Sequence, residues 1–388
     1  MQTERSAYAL IVVGYNRCDS LKRLVGSLQK ADYLGDRVDL IFSIDNAGTD
    51  TVERYAKTVQ WPHGQKIIRT FPQRQGLRAH ILQCGDYTEL YDAVAVFEDD
   101  IFAAPGFYNY MKQAVAFYHG DPAVGGISLY SHRFCENSQK PFTAQKGNYD
   151  NYFLQYAQSW GQVWMKDQWR AFRAWYRQNS GDISASPCLP ACLRQWPATS
   201  WLKYHIAYCI LEHKYFVYPY DSLTTNFVEQ GQHCKHPSTV YQVPMTYGLK
   251  KQYHFCRLDA DDSICYDGFF ERETGIPQQG IAKEDVVFDI NGVRTPDARK
   301  RYFVSTQKLN YKILQSYAFQ LRPAEMNVLV GIPGEGIYLY DTQQPAHNAL
   351  RDTALERWYY DTRVESLRYT GQMVLQMAKQ RLRDKLAK

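Results

Sequence analysis

Apolar positions follow two rhythms along roughly the first 240 residues, and their alternation predicts the fold. Short unbroken apolar runs at 8–13, 38–44, 66–71 and 93–97 read as strands buried on both faces. Between them the spacing lengthens. Leu21, Leu24, Val25 and Leu28 recur at helical intervals in a helix reaching Lys30, with Asp19 or Ser20 as its cap. Helices are also expected over 51–59 and from Gly76-Leu77-Arg78 to about Cys84. Strands alternating with helices imply a wound, mostly parallel sheet. Further along, a helix is expected over 105–118, a strand over 124–130, a helix over 168–177 capped by Asp167, a helix over 201–214 capped by Ser200, and a strand over 215–218. The segment 181–197 carries Pro187, Pro190 and Pro197, and its length suggests a lid or mobile loop. After Pro237 the pattern loosens: an acidic stretch at 258–267, strands around a Gly331–Gly334 turn, and helix from about Asp352. The expected organisation is a main domain over 1–236, an accessory unit of unread role over 237–345, and a basic helical tail over 346–388.

Composition changes this picture little. At 388 residues with 45% hydrophobic and 22% charged positions, the chain is globular, with one large domain or two to three smaller ones. Thirty-one tyrosines suit stacking on sugars or bases and equally suit half-buried packing. A net charge of +5 permits an anionic substrate or a nearby membrane surface and does not call for nucleic acid. Nine scattered cysteines favour reduced thiols and a cytoplasmic location. Cys188, Cys192, Cys234 and His236 make only a weak zinc pattern. The polar residues 1–6 and the short run after them predict no signal peptide, and no run has the length of a membrane span. In the tail, Lys379, Arg381, Arg383, Lys385 and Lys388 interleave with Leu382 and Leu386. Such a helix can lie on anionic lipid at the inner membrane face, or stand as a solvated basic terminus.

The candidate chemistry sits at strand ends. Glu98-Asp99-Asp100 follows the fourth apolar run directly. Strand alternation would put Glu98 and Asp100 on one side and Asp99 on the other. Three adjacent carboxylates repel unless a cation sits among them. A hard divalent ion, Mn²⁺ or Mg²⁺, takes oxygen ligands and often uses one or two carboxylates plus substrate phosphates. Two readings stand: a metal-diphosphate site, or a solvated acidic turn before a helix opened by Pro105. Tyr15-Asn16-Arg17 and Asp45-Asn46 end two other strands, and a nucleotide site needs such a common edge. No Gly-x-Gly-x-x-Gly follows the first strand and no Gly-Lys-Ser/Thr loop occurs, which disfavours nicotinamide and P-loop chemistry.

Several of these motifs together resemble family 2 glycosyltransferases. The run from Ala9 through Gly14-Tyr15-Asn16-Arg17 to Leu24 resembles their opening strand, turn and helix. Ile44-Asp45-Asn46-Ala47-Gly48-Thr49-Asp50 resembles their second, nucleoside-binding motif. Phe97-Glu98-Asp99-Asp100, with the segment from Ala104 to Tyr110, resembles the metal motif of the acetylglucosaminyltransferases that initiate complex N-glycans. Ser159-Trp160-Gly161, Ser200-Trp201 and the stretch through Tyr218-Pro219, Ser222-Leu223, Asn226 and His233-Cys234 resemble bacterial surface-polysaccharide transferases. The resemblance covers about residues 7–236. It implies a GT-A fold, a nucleotide-diphosphate sugar donor (most readily a UDP-sugar), a divalent cation and inversion at the anomeric carbon.

Carried over by position, the resemblance gives nucleoside contacts to Tyr15, Asn16 and Asp45, with Arg17 in the same turn and Arg78 as a further contact or a solvated helix residue. Glu98 and Asp99 would hold ribose or sugar, Asp100 would bind the metal, and His233 would approach metal or diphosphate. Trp160 and Trp201 are acceptor platforms or core aromatics. The acidic residue that follows the tryptophan in many relatives is Leu202 here. Among the nearby carboxylates, Glu229 is then the first candidate for the base and Asp221 the second, with Glu212 too far along its helix. The expected activity is transfer of a hexosyl group to a glycan or lipid-linked acceptor in surface polysaccharide synthesis. The alternative is a non-catalytic carbohydrate- or nucleotide-sugar-binding protein on the same fold. A glycoside hydrolase would need two opposed carboxylates and no nucleotide pocket, against the motifs at 14–17 and 45–50.

Overall fold

The computed structural model describes residues 6–227, 229, 239–362 and 366–386. Four parallel strands open the chain: β1 (Tyr8–Gly14), β2 (Val38–Ile44), β3 (Lys66–Thr70) and β4 (Ala93–Glu98). Leu10 sits opposite both Leu40 and Ala95, so the apolar runs pair in register. They are linked by α1 (Cys18–Gln29), α2 (Thr51–Thr58) and α3 (Leu77–Gly85). Next come β5 (Ile101–Ala103), α4 (Phe107–Tyr118), β6 (Val124–Ser128) and the hairpin β7 (Phe134–Cys135) and β8 (Lys140–Pro141). They are followed by β9 (Asn151–Leu154), β10 (Gln162–Met165), α5 (Lys166–Asn179), α6 (Ala191–Arg194), α7 (Trp201–Leu211), β11 (Tyr215–Pro219), β12 (Thr224–Asn226) and β13 (Cys265–Tyr266). Among the described residues the central sheet has nine strands in the order β13-β9-β11-β6-β10-β4-β1-β2-β3. β10 runs antiparallel between β4 and β6, and β11 runs parallel to β6. The carboxyl ends of β1, β2, β3, β4, β6 and β11 therefore share one edge. This is the wound, mixed α/β architecture that the alternation of apolar runs predicts.

Why these runs are unbroken follows from what covers them. Leu10, Val12, Leu40, Phe42, Ala95 and Phe97 face a core closed by α1, α2 and α4. Ile11, Val13, Ile41, Val94 and Val96 face a second core closed by α3, α5 and α7. With both faces dry, the strands are almost wholly apolar, and the polar positions inside β2 are paired: Asp39 accepts from Ser6 and Tyr91, and Ser43 bonds His80.

A second, four-stranded sheet follows in the order β14 (Val286–Asp289), β15 (Tyr302–Ser305), β17 (Ile337–Pro345), β16 (Tyr311–Tyr317), with α8 (Met326–Val330) between β16 and β17. Phe288, Val304, Tyr317 and Leu339 form its core. The tail forms α9 (Ala354–Thr362) and α10 (Leu367–Leu386).

The structure departs from expectation at several points. A boundary at 236 cuts a continuous unit: β13 pairs with β9 at the edge of the central sheet, and Phe255, Cys256 and Cys265 belong to its core. A two-residue strand carries no readable period, so only its partner reveals it. Residues 327–330, expected as strand, are helical, within α8. Neither Asp19 nor Ser20 caps α1, which begins one residue before Asp19. α5 likewise begins at Lys166 and places Asp167 inside its first turn without a capping bond. Ser200 does cap α7, its Oγ accepting from the Lys203 N–H at 3.3 Å. The segment 181–197 is tied down: buried Lys203 donates to the carbonyls of Arg194 and Trp196 at 3.0 and 2.7 Å.

Candidate active site at the carboxyl edge of the sheet

The strand edge gathers charge at β1 and β4. The chain turns as soon as β4 ends, so simple alternation fails for the acids: Asp99 and Asp100 both reach Arg17. The guanidinium donates through Nε to Asp99 Oδ2 at 3.3 Å and through Nη2 to Asp100 Oδ2 at 3.2 Å, and Nη2 also pairs with Asp99 Oδ1. Burial opposes the Arg17 charge, but the two carboxylates outweigh it and raise its pKa. Burial likewise pushes Asp99 up to about 6 against the pull of Arg17. Glu98 takes the other side of the sheet, toward Trp201. Burial, joined by the charges of Asp100 and Asp99, pushes it up to about 8, while Arg17 and the donating Trp201 indole work the other way. Among the described residues Arg17 is the cation that Asp99 and Asp100 contact, and Glu98 feels its charge from the other side of the sheet.

Beside them runs the small pair β5–β12, in which Asn226 lies opposite Ile101 and the Phe227 N–H donates to the Asp100 carbonyl at 3.0 Å. The Asn226 Oδ1 is buried and has no hydrogen-bond partner among the described residues. An unpaired hard oxygen on the strand that pairs beside Asp100 is a donor that a divalent cation completed by diphosphate oxygens could use. Among the described residues no three His, Cys, Asp or Glu side chains form a complete metal cage, so Asp100 and Asn226 would hold such an ion only together with substrate oxygens. In the sequence Asn226 is only one residue of a motif. The clue to its role, an unsatisfied buried acceptor, belongs to the folded chain. His233, expected near the metal, lies outside the described residues, as do Cys234 and His236.

The residues expected to contact a nucleoside sit on two loops. Both Asp45 oxygens are used: Oδ1 accepts from the N–H groups of Asn46 at 2.8 Å and Gln75 at 2.7 Å, and Oδ2 from Gly76 at 3.0 Å. Asp45 therefore joins the loop after β2 to the loop before α3. Gly76 takes φ +76°, which brings its N–H round to the carboxylate at no steric cost. Exposed Asn16 and half-buried Tyr15 stand beside this joint, with the Arg74 guanidinium 5.1 Å from the Tyr15 ring centre. Arg74 had no sequence signal.

The other expected residues lie elsewhere. Arg78 is a tether: it donates to Tyr176 Oη and to the carbonyls of Ala198 and Ser180 at 2.7 and 2.9 Å, and it lies 4.4 Å from the Tyr204 ring centre. These contacts make it part of the scaffold that holds the 180–198 segment. Trp201 is buried at 2% exposure and sits edge-on to Trp164, so it is a core residue that meets Glu98 and cannot serve as an open sugar platform. Trp160 is only partly buried. Its ring stacks on Tyr241 at 4.7 Å, and its carbonyl accepts from Thr224 at 2.5 Å. Gly161 after it has φ +92°, and a Cβ there would stand 2.9 Å from Thr224 Cγ2, which explains the Trp-Gly step. Glu229 accepts from Ser20 at 2.6 Å and pairs with Arg23; these two partners hold its carboxyl below the usual range. Asp221 is exposed and pairs with Lys146 at 3.2 Å. A polar cavity of about 860 Å³ lined by Tyr215, Arg257, Arg272 and Lys283 opens at the other edge of the sheet and contains none of the strand-edge acids.

No protein-family model matches the chain, and no curated protein matches it. Among solved structures it is similar to a Pyrobaculum calidifontis mannosyltransferase in complex with GDP-Man and Mn²⁺, at 18% identity over 60% of this chain and 59% of that one, with a TM-score of 0.36. S. aureus TarS 1–349 with UDP-GlcNAc is 14% identical over 58% and 60%, with a TM-score of 0.38. GalNAc-T7 with UDP, GalNAc and Mn²⁺ is 14% identical over 61% and 45%, with a TM-score of 0.40. The match spans less than two thirds of each, and overlaps of this size do not decide what the site does.

Proposed function

We propose that the chain is a metal-dependent, inverting glycosyltransferase of the GT-A type, moving a hexosyl group from a nucleotide-diphosphate donor, most readily a UDP-sugar, to a hydroxyl of a glycan or lipid-linked acceptor in surface polysaccharide synthesis. One observation carries this reading: Asp99 and Asp100 share the Arg17 guanidinium at the sheet edge where open α/β folds bind ligands, and the strand bearing Asn226, whose buried Oδ1 has no partner among the described residues, pairs alongside them. In this reading Asp100 and Asn226 face the divalent ion, Mn²⁺ or Mg²⁺, which when bound neutralises charge on the departing diphosphate. Arg17 fixes the acids. Glu98, whose pKa burial raises, lies on the Trp201 side of the strand and would face ribose or sugar. Tyr15, Asn16 and the Asp45 joint flank the nucleoside, Trp160 the acceptor. The eight described cysteines are free, which suits a reducing, cytoplasmic compartment.

The base is assigned to Glu229, which feels the charge of Arg17 at the site edge, whereas Asp221 is a surface residue. Glu229 must first leave Arg23 to accept a proton. That engagement favours the second reading, a binding protein without turnover, because both carboxylates expected to act as base are in ion pairs. Incubation with a panel of nucleotide sugars and Mn²⁺ separates the two. Transfer or donor hydrolysis that falls by roughly 10²–10⁴-fold in Glu229→Gln supports the enzyme. Tight donor binding with no turnover supports the binding protein.

A further inference from the structure

Helix α10 is built unlike the rest of the chain. Apart from half-buried Thr370, every residue from Ser366 to Arg383 is exposed, including Leu367 at 72%, Val374 at 55%, Leu375 at 62% and Leu382 at 64%. At about 3.6 residues per turn, Leu367, Val374, Leu375, Ala378 and Leu382 fall within about a third of the circumference. Arg368, Lys379 and Arg383 border this stripe on one side and Arg381 on the other. Between Ser366 and Arg383 the sequence has four basic residues and no acid.

Two partners can cover such a stripe, and the charges choose between them. A second copy of α10 would bring its five cations against five others, with Asp384 as the helix's lone acid to answer them. Its heptad registers fail as well: one through Leu367 and Val374 runs onto Arg381, and one through Leu375 and Leu382 runs onto Arg368. An anionic bilayer meets both features at once, taking the apolar stripe at the acyl boundary and the flanking cations at the headgroups. Among the described residues no helix is long and apolar enough to cross a membrane, so the contact would be in the plane of the surface.

We infer that α10 is an in-plane membrane-binding helix that docks the protein on anionic lipid. This holds whether or not the chain transfers a sugar. If it does, the helix places the site beside an acceptor presented at a bilayer.

The test is sedimentation of the full chain with vesicles of phosphatidylcholine alone and with about a third phosphatidylglycerol, at about 0.1 M and about 0.5 M salt. The expected result is binding to the anionic vesicles that weakens with salt and is absent from the neutral ones. K379Q/R381Q/R383Q should lower partitioning by about 100-fold, since each basic residue near an anionic surface contributes a factor of about five. V374E/L375E should abolish it. Both variants alter exposed positions, and an unchanged melting temperature with and without nucleoside diphosphate and Mn²⁺ keeps this test separate from the transferase reading. Equal binding to both vesicle types, or wild-type binding by the triple glutamine variant, overturns the inference. Absence of vesicle binding also overturns it, and a doubled mass in sedimentation equilibrium that V374E/L375E reverses would name a second copy as the occupant instead.

Discussion

Arg17 carries more of the site than its place in a turn suggests. Its guanidinium is the cation that both Asp99 and Asp100 touch, with side-chain exposures of 26%, 8% and 26%. Removing it leaves two close carboxylates uncompensated in a poorly solvated place. Arg17→Gln should destabilise the fold by about 2–3 kcal/mol, discounted for partial exposure, and Asp99→Asn in the same chain should return part of that loss. Additive losses in a double-mutant cycle would contradict the pairing. Asp45 was legible as a site residue because its motif is local. That both of its oxygens are already used by backbone N–H groups was not, because Gln75 and Gly76 lie thirty residues on. Away from the site, buried His205 is ringed by Trp164, Phe172, Tyr208 and Phe216, and burial drops its pKa to about 3. In the unfolded chain it titrates near about 6.5, so below that pH the unfolded state takes up a proton that the folded state refuses. Its contribution to stability therefore falls as pH drops through 6 toward 4, by about 1.4 kcal/mol per pH unit. His205→Phe should remove that slope, so that the stability difference between variant and wild type grows in acid. Parallel pH profiles would contradict it.

At the scale of elements, helices and buried strands announced themselves through period, whereas loops did not announce their anchors. The segment 181–197 reads as a lid from its length and prolines. In the structure Arg78 from α3 and Lys203 from α7 hold it by backbone carbonyls of Ser180, Arg194, Trp196 and Ala198. No local pattern encodes such a tether, because its acceptors are carbonyls that every residue carries. Arg78→Ala should raise hydrogen exchange and proteolysis across 180–198 several-fold while nucleotide affinity changes little. A variant with a quiet loop and a large loss of nucleotide affinity would return Arg78 to the nucleoside.

At the scale of the whole molecule, the central sheet closes only with residues after 236. β13 supplies its last strand, the Tyr118 hydroxyl donates to the Cys256 carbonyl at 2.5 Å, and the Tyr266 hydroxyl donates to Glu325 at 2.5 Å, linking the sheet to the second unit. A chain ending at 236 should therefore fail to fold cooperatively, whereas one ending at 345 should melt as a folded protein. A cooperative transition in the shorter chain would contradict this organisation. The same scale explains what the sequence made readable about function. The acids, the Tyr-Asn-Arg turn and the Asp-Asn turn are each local, and a parallel sheet brings every strand's carboxyl end to one edge. Their spacing in three dimensions is set by strand register, and partners such as Asn226 come from a small added sheet that no periodicity marks.

In the proposed function this edge binds a nucleoside diphosphate through a divalent ion at Asp100. The most direct measurement is calorimetric titration of UDP, GDP, CDP and TDP into the protein with and without Mn²⁺, for wild type and Asp100→Asn. The account predicts that at least one nucleotide binds only with Mn²⁺. It also predicts that Asp100→Asn weakens this binding by about tenfold or more while the ligand-free melting temperature is retained. Binding that is indifferent to Mn²⁺, or equally tight in Asp100→Asn, would contradict it.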